Sequence, residues 1–178
     1  MDEYGPSTYG DRIAEVYDEW YPESSRAGDV DAAVSFLREL AAAGPALELG
    51  IGTGRVAVPL HREGVEVHGI DASEAMLARL RTKEGAASIA TSVADIRDFE
   101  LEPRFTLAYV VFNTLFALRT QDDQVMCFQA VARHLPADGV FVVEAFVPDV
   151  SRFDRGQRVS ALEGGVDEVR LEVSTHDA

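Results

Sequence analysis

Cysteine is nearly absent: Cys127 is the only one in 178 residues. A single cysteine allows neither an intrachain disulfide nor a cysteine-rich zinc centre. Positive charge is scarce too. Sixteen Lys and Arg face 31 Asp and Glu, a formal net charge of -15. Nucleic-acid backbones and anionic lipid surfaces select basic proteins, so neither partner is expected. A neutral or cationic small molecule suits this field better. The densest basic cluster, Arg79, Arg81 and Lys83, reads as the solvated face of one helix. No apolar run approaches the roughly 20 residues of a membrane helix. The opening MDEYGPSTYGD is acidic and polar, unlike a secretory leader, and a cytoplasmic location is the expectation. The G-x-S-x-G elbow of a serine hydrolase is missing. None of His61, His68, His134 and His176 pairs with a carboxylate at metal-ligand spacing, so no metal is expected.

What is present suits a single domain with a sizeable core. Apolar residues make up 47% of the chain. Residues 1–28 carry Tyr4, Tyr9, Tyr17, Trp20 and Tyr21 and read as an N-terminal helical cap, with a helix over 11–20 and a loop over 22–28. Asp29 is placed to cap a helix whose apolar face is Val30, Ala33, Val34, Leu37, Leu40 and Ala41, stopped by Gly44-Pro45. Strands and helices then alternate. Strands are expected at 46–49, 66–71, 88–93, 107–113 and 140–146. Helices are expected at 56–63, ended by Gly64; from Ser73 to near Gly85, burying Met76, Leu77 and Leu80; and at 121–135, with Val125, Phe128, Val131 and Leu135 inward. This alternation predicts a doubly wound, mostly parallel α/β sheet over 29–150. Residues 151–178 break the rhythm and read as a hairpin, 159–162 with 166–173 around Gly164-Gly165, a partial substrate-side element.

The strongest chemical signal is ALELGIGTG at 46–54. Gly50, Gly52 and Gly54 allow a tight turn and close backbone approach by a ligand. The spacing is G-x-G-x-G, and not the G-x-G-x-x-G of a pyrophosphate site. Glu48, two residues ahead of the first glycine, would oppose a pyrophosphate and favours an ammonium or sulfonium ligand. Asp71 closes the second strand, where a carboxylate accepts ribose hydroxyls; Ser73 is available to cap the next helix, which frees Asp71 for that work. Asp95 follows the third strand. With Ile96 it could bond and cover an adenine, or it could cap a turn. Asn113 ends the fourth strand at the same crevice, to hold a ligand or cap a turn. Glu144, His134 and Tyr109 are candidate bases, none of which stands out. Cys127 reads as inert core.

The motifs ELGIGTG, GIDASEAML and ADIRDF, with the apolar fourth strand and GVFVVEAF, resemble the class I S-adenosylmethionine-dependent methyltransferases of small-molecule type. The likeness spans roughly residues 30–147. It implies a Rossmann-like core, S-adenosylmethionine as cofactor, and methyl transfer to an amine or hydroxyl of a sugar or other natural product. Residue by residue, it implies that Glu48, Gly50, Gly52 and Gly54 hold the methionine part. Asp71 would bind the ribose with Ala72 and Met76 beside the adenosine, and Asp95 and Ile96 would bind the adenine. The aromatic N-terminal stretch is similar to helices that cover the cofactor, with Tyr9, Tyr17 and Trp20 as candidates. That family's sheet usually ends in two further strands, which this sequence lacks, so a C-terminally shortened chain with a free sheet edge is expected. Two other readings stand beside this one. An NAD-dependent oxidoreductase is opposed by the glycine spacing, by Glu48 and by the lack of a catalytic Tyr-Lys or His pair. A non-catalytic cofactor-binding or dimerisation module predicts binding without turnover and a homodimer over the exposed edge.

Overall fold

Short apolar strands separated by helices build the first of two units, Met1–Ala145 and Phe146–Ala178, in the computed structural model. The structure describes residues 4–22, 27–42, 44–102, 104–147, 157–164 and 169–175. In chain order the first unit runs α1 (Thr8–Ile13), α2 (Tyr17–Trp20), α3 (Ala27–Ala41), β1 (Ala46–Leu49), α4 (Ala57–Arg62), β2 (Val67–Asp71), α5 (Glu74–Arg81), β3 (Ala90–Val93), β4 (Leu107–Val110), α6 (Gln121–His134) and β5 (Val140–Val143). The five strands are parallel in the order β3-β2-β1-β4-β5. The doubly wound α/β expectation is met.

The centre of the sheet is apolar on both faces. All four residues of β1 and of β4 are buried, as in strands covered from both sides. One core layer joins Val34 and Leu37 of α3 with Leu60, Leu77 and Leu80 of α4 and α5. The other joins Leu47, Leu49 and Ile70 with Phe99, Phe105 and the inner face of α6. Ser73 caps α5 as expected, its Oγ accepting the Met76 N–H at 3.2 Å. Thr120 caps α6 in the same way, accepting the Asp123 N–H at 3.1 Å.

Several expectations are corrected. The helix over 11–20 is two short helices, because Asp11 and Asp18 reach separate anchors described below. α3 begins at Ala27, so Asp29 lies in its first turn and does not cap it. β4 stops at Val110. Phe112 and Asn113 then adopt left-handed φ of 53° and 63°, which no strand continues through. β5 stops at Val143, where Glu144 begins an exposed segment. The inner face of α6 is Cys127, Ala130, Val131 and His134, spaced i, i+3, i+4, i+7. Val125 and Phe128 are exposed, at 54% and 47%. His134 enters the core because its polar atoms are satisfied. Its Nδ1 meets the Ala130 carbonyl at 2.7 Å, its Nε2 accepts the Leu101 N–H at 2.9 Å, and its ring stacks on Phe99.

The second unit is an antiparallel pair, β6 (Gln157–Gly164) and β7 (Val169–Thr175), with a register shift between Ala161 and Glu163. β6 is two residues longer at each end than expected, and β7 begins at Val169 and runs two residues past the expected end. Residues 165–168, with Gly165 of the expected hairpin, the stretch 148–156, part of the loop expected over 22–28, and His176 lie outside the described residues.

Candidate functional site

The sheet order changes direction between β1 and β4, and ligands of open parallel sheets lie beyond the strand ends at such a point. The glycine turn leaves β1 there, with φ of 69°, 55° and 81° at Gly50, Gly52 and Gly54. Gly54 is required twice over: its φ is left-handed, and a Cβ there would strike Leu80 and lie 3.0 Å from Val58. This lets α4 pack close against α5. The Gly50 and Ile51 N–H groups donate to the Ile70 carbonyl at 2.8 and 3.0 Å, fixing the turn against the end of β2.

Glu48 points into the protein from β1 and is 3% exposed. Its Oε2 accepts the Tyr109 hydroxyl at 3.0 Å. Burial raises its pKa to about 8; the hydrogen bonds from Tyr109 and the Ala57 N–H work the other way, and the Asp71 charge adds to the rise. A buried carboxyl of this kind is neutral at pH 7 alone and ionises when a cation is brought to it. Tyr109 is buried beside it and its hydroxyl is pushed well above the ordinary value, by burial first and by Glu48 second. It donates to Glu48 and does not serve as a base.

Asp71 is a backbone clamp. Its Oδ2 accepts the Gly52 N–H and its Oδ1 the Ser73 N–H, both at 2.8 Å. Ser73 therefore does not leave Asp71 without protein partners, contrary to expectation. A carboxylate has about four acceptor positions, so two remain for ligand hydroxyls. Burial raises its pKa against the pull of those two N–H groups. Ala72 is half-buried and Met76 is buried beneath α1. A Cβ on Gly10 would lie 2.9 Å from Ser73 Oγ and 3.1 Å from Met76 Cγ, so α1 sits directly on the start of α5.

The N-terminal helices are pinned around this turn. Ser73 Oγ donates to Asp11 at 2.6 Å, and Thr53 Oγ1 donates to Asp18 at 2.7 Å. Lys83 Nζ pairs with the same Asp18 oxygen at 2.9 Å. Lys83 is thus part of a clamp and not of a solvated face; Arg81 does face solvent, paired with Glu74. Asp18 has a lowered pKa: burial opposes ionisation, and Thr53 and Lys83 outweigh it. Tyr17 packs on Tyr21 with ring centroids 5.0 Å apart. Its hydroxyl is raised by burial, while the charges of Arg55 and Glu48 act on it in opposite directions. Tyr9 and Trp20 are largely exposed.

Asp95 is held by its own neighbour. Its Oδ1 accepts the Arg97 N–H at 2.9 Å, and its Oδ2 accepts Arg97 Nε and Nη2 at 2.9 and 2.6 Å. Arg97 also reaches Asp123 of α6 at 3.3 Å. Ile96 is buried beside them. Asn113 stands three residues beyond β4 in the left-handed turn and is exposed, not at the strand end. Glu144 is exposed after β5 and accepts the Phe112 N–H at 3.1 Å. Of the candidate bases, His134 is sealed in the core and Tyr109 is committed to Glu48. Burial pushes the Cys127 thiol up to about 11, as inert core requires.

Sequence reading used Arg55 only as a departure from the pyrophosphate turn and gave it no ligand role. Its guanidinium carbon lies 4.6 Å from the Phe112 ring centroid. Its Nε and Nη2 are buried without a hydrogen-bond partner, alone in this among the described residues. The only sequence signal was an arginine directly after the third glycine. Asp18 and Arg97 were also passed over, and Lys83 was read as solvated; Asp18 and Lys83 meet across 65 residues, which no local pattern announces. The site carries the carboxyls of Glu48, Asp71 and Asp95 and shows no cluster of metal-ligating side chains among the described residues.

The profile of the family described as "Methyltransferase domain" matches residues 46–139. The chain is 31% identical over 143 residues to dTDP-4-amino-2,3,4,6-tetradeoxy-D-glucose N,N-dimethyltransferase of Saccharopolyspora spinosa, covering 78% of this chain and 56% of that one. It is 29% identical over 136 residues to dTDP-3-amino-3,4,6-trideoxy-alpha-D-glucopyranose N,N-dimethyltransferase of Streptomyces venezuelae, covering 74% and 56%. The chain spans about half the length of the curated relatives it matches. Among solved structures, the CcbJ methyltransferase from Streptomyces caelestis superposes with a TM-score of 0.88 at 40% identity, covering 98% of this chain and 71% of that one.

Proposed function

The chain belongs to the methyltransferase-domain family, and from that premise we propose that it binds S-adenosylmethionine across the carboxyl ends of β1, β2 and β3 for methyl transfer to a small acceptor. The observation that carries the reading is Glu48: a buried carboxyl ahead of a glycine turn, neutral on its own and ready to ionise against an ammonium group. The G-x-G-x-G spacing is not that of a pyrophosphate turn, and Glu48 offers a pyrophosphate no counter-charge, which disfavours the NAD-dependent alternative. In this reading Glu48, Gly50, Gly52 and Gly54 hold the amino-acid end. Asp71 uses its two remaining acceptor positions for the ribose hydroxyls, with Ala72 and Met76 alongside. Asp95, fixed by Arg97, accepts from the adenine amino group, and Ile96 covers the ring. Tyr17 closes the site from α2, and Asn113 lies toward the acceptor side.

When bound, S-adenosylmethionine supplies a sulfonium methyl as the electrophile. The protein's share is positioning: it holds the acceptor in line with that methyl and keeps water out. Held by Glu48, Asp71 and Asp95, the cofactor would give that methyl to the acceptor's lone pair, the electrons of the carbon–sulfur bond staying on sulfur. An amine attacks through its own lone pair and sheds its proton afterwards, so no buried base is required. This agrees with the commitments of His134 and Tyr109. The likeness to the two sugar N,N-dimethyltransferases supports an amine on a sugar or related natural product as the acceptor class.

Calorimetric titration with S-adenosylmethionine, S-adenosylhomocysteine and NAD tests the reading. Binding of the first two and not of NAD is expected. Asp71→Ala should weaken both by about 10- to 100-fold, since a hydroxyl acceptor in a part-buried site is worth about 1–3 kcal/mol. Unchanged affinity in Asp71→Ala would remove Asp71 from the site.

A further inference from the structure

Arg55 carries a charge that the protein itself does not answer. Its Nε and Nη2 are buried without a hydrogen-bond partner. Among the described residues no carboxylate lies within ion-pair distance of it. A guanidinium kept this way is costly to the fold unless something binds it, because buried donors of a charged group are the most expensive to leave unmet. Its place is specific. It follows the glycine turn directly, its head lies over Phe112 in the turn after β4, and its charge and that of Glu48 both reach Tyr17. Stacking on Phe112 fixes the guanidinium plane while leaving its edge donors free to act.

We propose that Arg55 binds the carboxylate of the cofactor's amino-acid group, so that Arg55 and Glu48 together read a zwitterion. This rests on the methyltransferase reading of the site. An amino acid carries its ammonium and carboxylate on one carbon, and a site with one buried carboxyl and one unpaired guanidinium complements both. A carboxylate accepts the fork of an arginine in two parallel hydrogen bonds, and Nε with Nη2 is one such edge. Glu48 alone would select any cation; Arg55 adds the requirement for an anion beside it. The pair therefore discriminates against amine-bearing nucleosides that lack the carboxylate.

The test uses two ligands that differ only in that carboxylate: S-adenosylhomocysteine and its decarboxylated counterpart, 5′-deoxy-5′-(3-aminopropylthio)adenosine. Both keep the adenosine and the ammonium. The wild-type chain is expected to bind S-adenosylhomocysteine at least about 10-fold more tightly by calorimetry. Arg55→Gln should erase that preference by weakening S-adenosylhomocysteine alone, leaving the decarboxylated ligand within about twofold of wild type. Arg55→Lys, which keeps the charge and loses the fork, should restore part of the preference. Three results overturn the proposal. If Arg55→Gln keeps the full preference, the guanidinium does not meet that carboxylate and serves a different anion, such as one on the acceptor. If both ligands weaken equally in Arg55→Gln and in Arg55→Lys, the residue holds the loop and not the ligand. If the folded wild type binds neither ligand, the methyltransferase reading itself fails and the inference falls with it.

Discussion

Glu48 is a carboxyl group whose charge depends on what faces it, and on the proposed reading binding at the site is a proton-linked event. Its pKa in the folded chain is raised to about 8 from 4.5. Between those values the folded state holds a proton that the unfolded state has released. Stability of the free chain therefore falls as pH rises from about 4.5 to about 8, then levels off, so far as Glu48 governs it. A ligand with an ammonium group needs the ionised form. Titration with S-adenosylhomocysteine between pH 6 and 7 is expected to release close to one proton, seen as a binding enthalpy that varies with the buffer's ionisation enthalpy. Glu48→Gln should abolish that dependence and weaken the ligand; an unaltered dependence in the variant would place the proton elsewhere. Glu48 and Asp71 were legible in the sequence because they stand at fixed short distances from a glycine turn that dictates where they point. Arg55 was not legible as a ligand group, because its significance lies in what does not contact it. His134 was misread for a related reason: it is polar in any pattern, and only tertiary contacts to Leu101 and Ala130 make it a core residue.

At the scale of elements, the two short N-terminal helices matter more than their length suggests. Helices of six and four residues do not persist in water alone. They persist here through docking: Gly10 against Ser73 and Met76, and the side chains of Asp11 and Asp18 on Ser73, Thr53 and Lys83. The Asp18–Lys83 pair is partly exposed, so it contributes at most about 1 kcal/mol. The close approach at Gly10 is the stricter requirement. Gly10→Val is expected to lift α1 from α5, so that amide protection over 8–13 collapses while the sheet's melting temperature changes by only a few degrees. It should also weaken S-adenosylhomocysteine, since Tyr17 is carried on the same segment. Unaltered protection over 8–13 would mean that α1 is held by its polar contacts alone. The helical cap was legible as a cluster of aromatics, but its break was not, since the break follows from anchors elsewhere in the chain. The phase of α6 was misjudged for a similar reason. Val125 and Phe128 are as apolar as the residues that are buried, and the packing of Cys127 and Ala130, both fully buried, decided the face.

At the scale of the whole molecule, the candidate site falls within a single unit. Strand alternation was enough to foresee the parallel sheet, because a buried strand and a following amphipathic helix each require the other's cover. The residues proposed to hold the cofactor run from Tyr17 to Asn113, all inside Met1–Ala145. Every strand of that unit pairs within it. The second unit is one two-stranded pair, an element that is marginal by itself in water. A chain shortened to residues 1–147 should therefore keep a single cooperative thermal transition and bind S-adenosylhomocysteine within about threefold of the full chain. The central packing bears the stability: Leu107→Ala, in a strand buried on both faces, should cost about 2–5 kcal/mol in either chain, read from denaturant midpoints. If the shortened chain instead melts without cooperativity, the hairpin supports the sheet. If it melts normally and loses the ligand, cofactor binding draws on residues beyond 147, and the assignment of the whole site to the first unit is wrong.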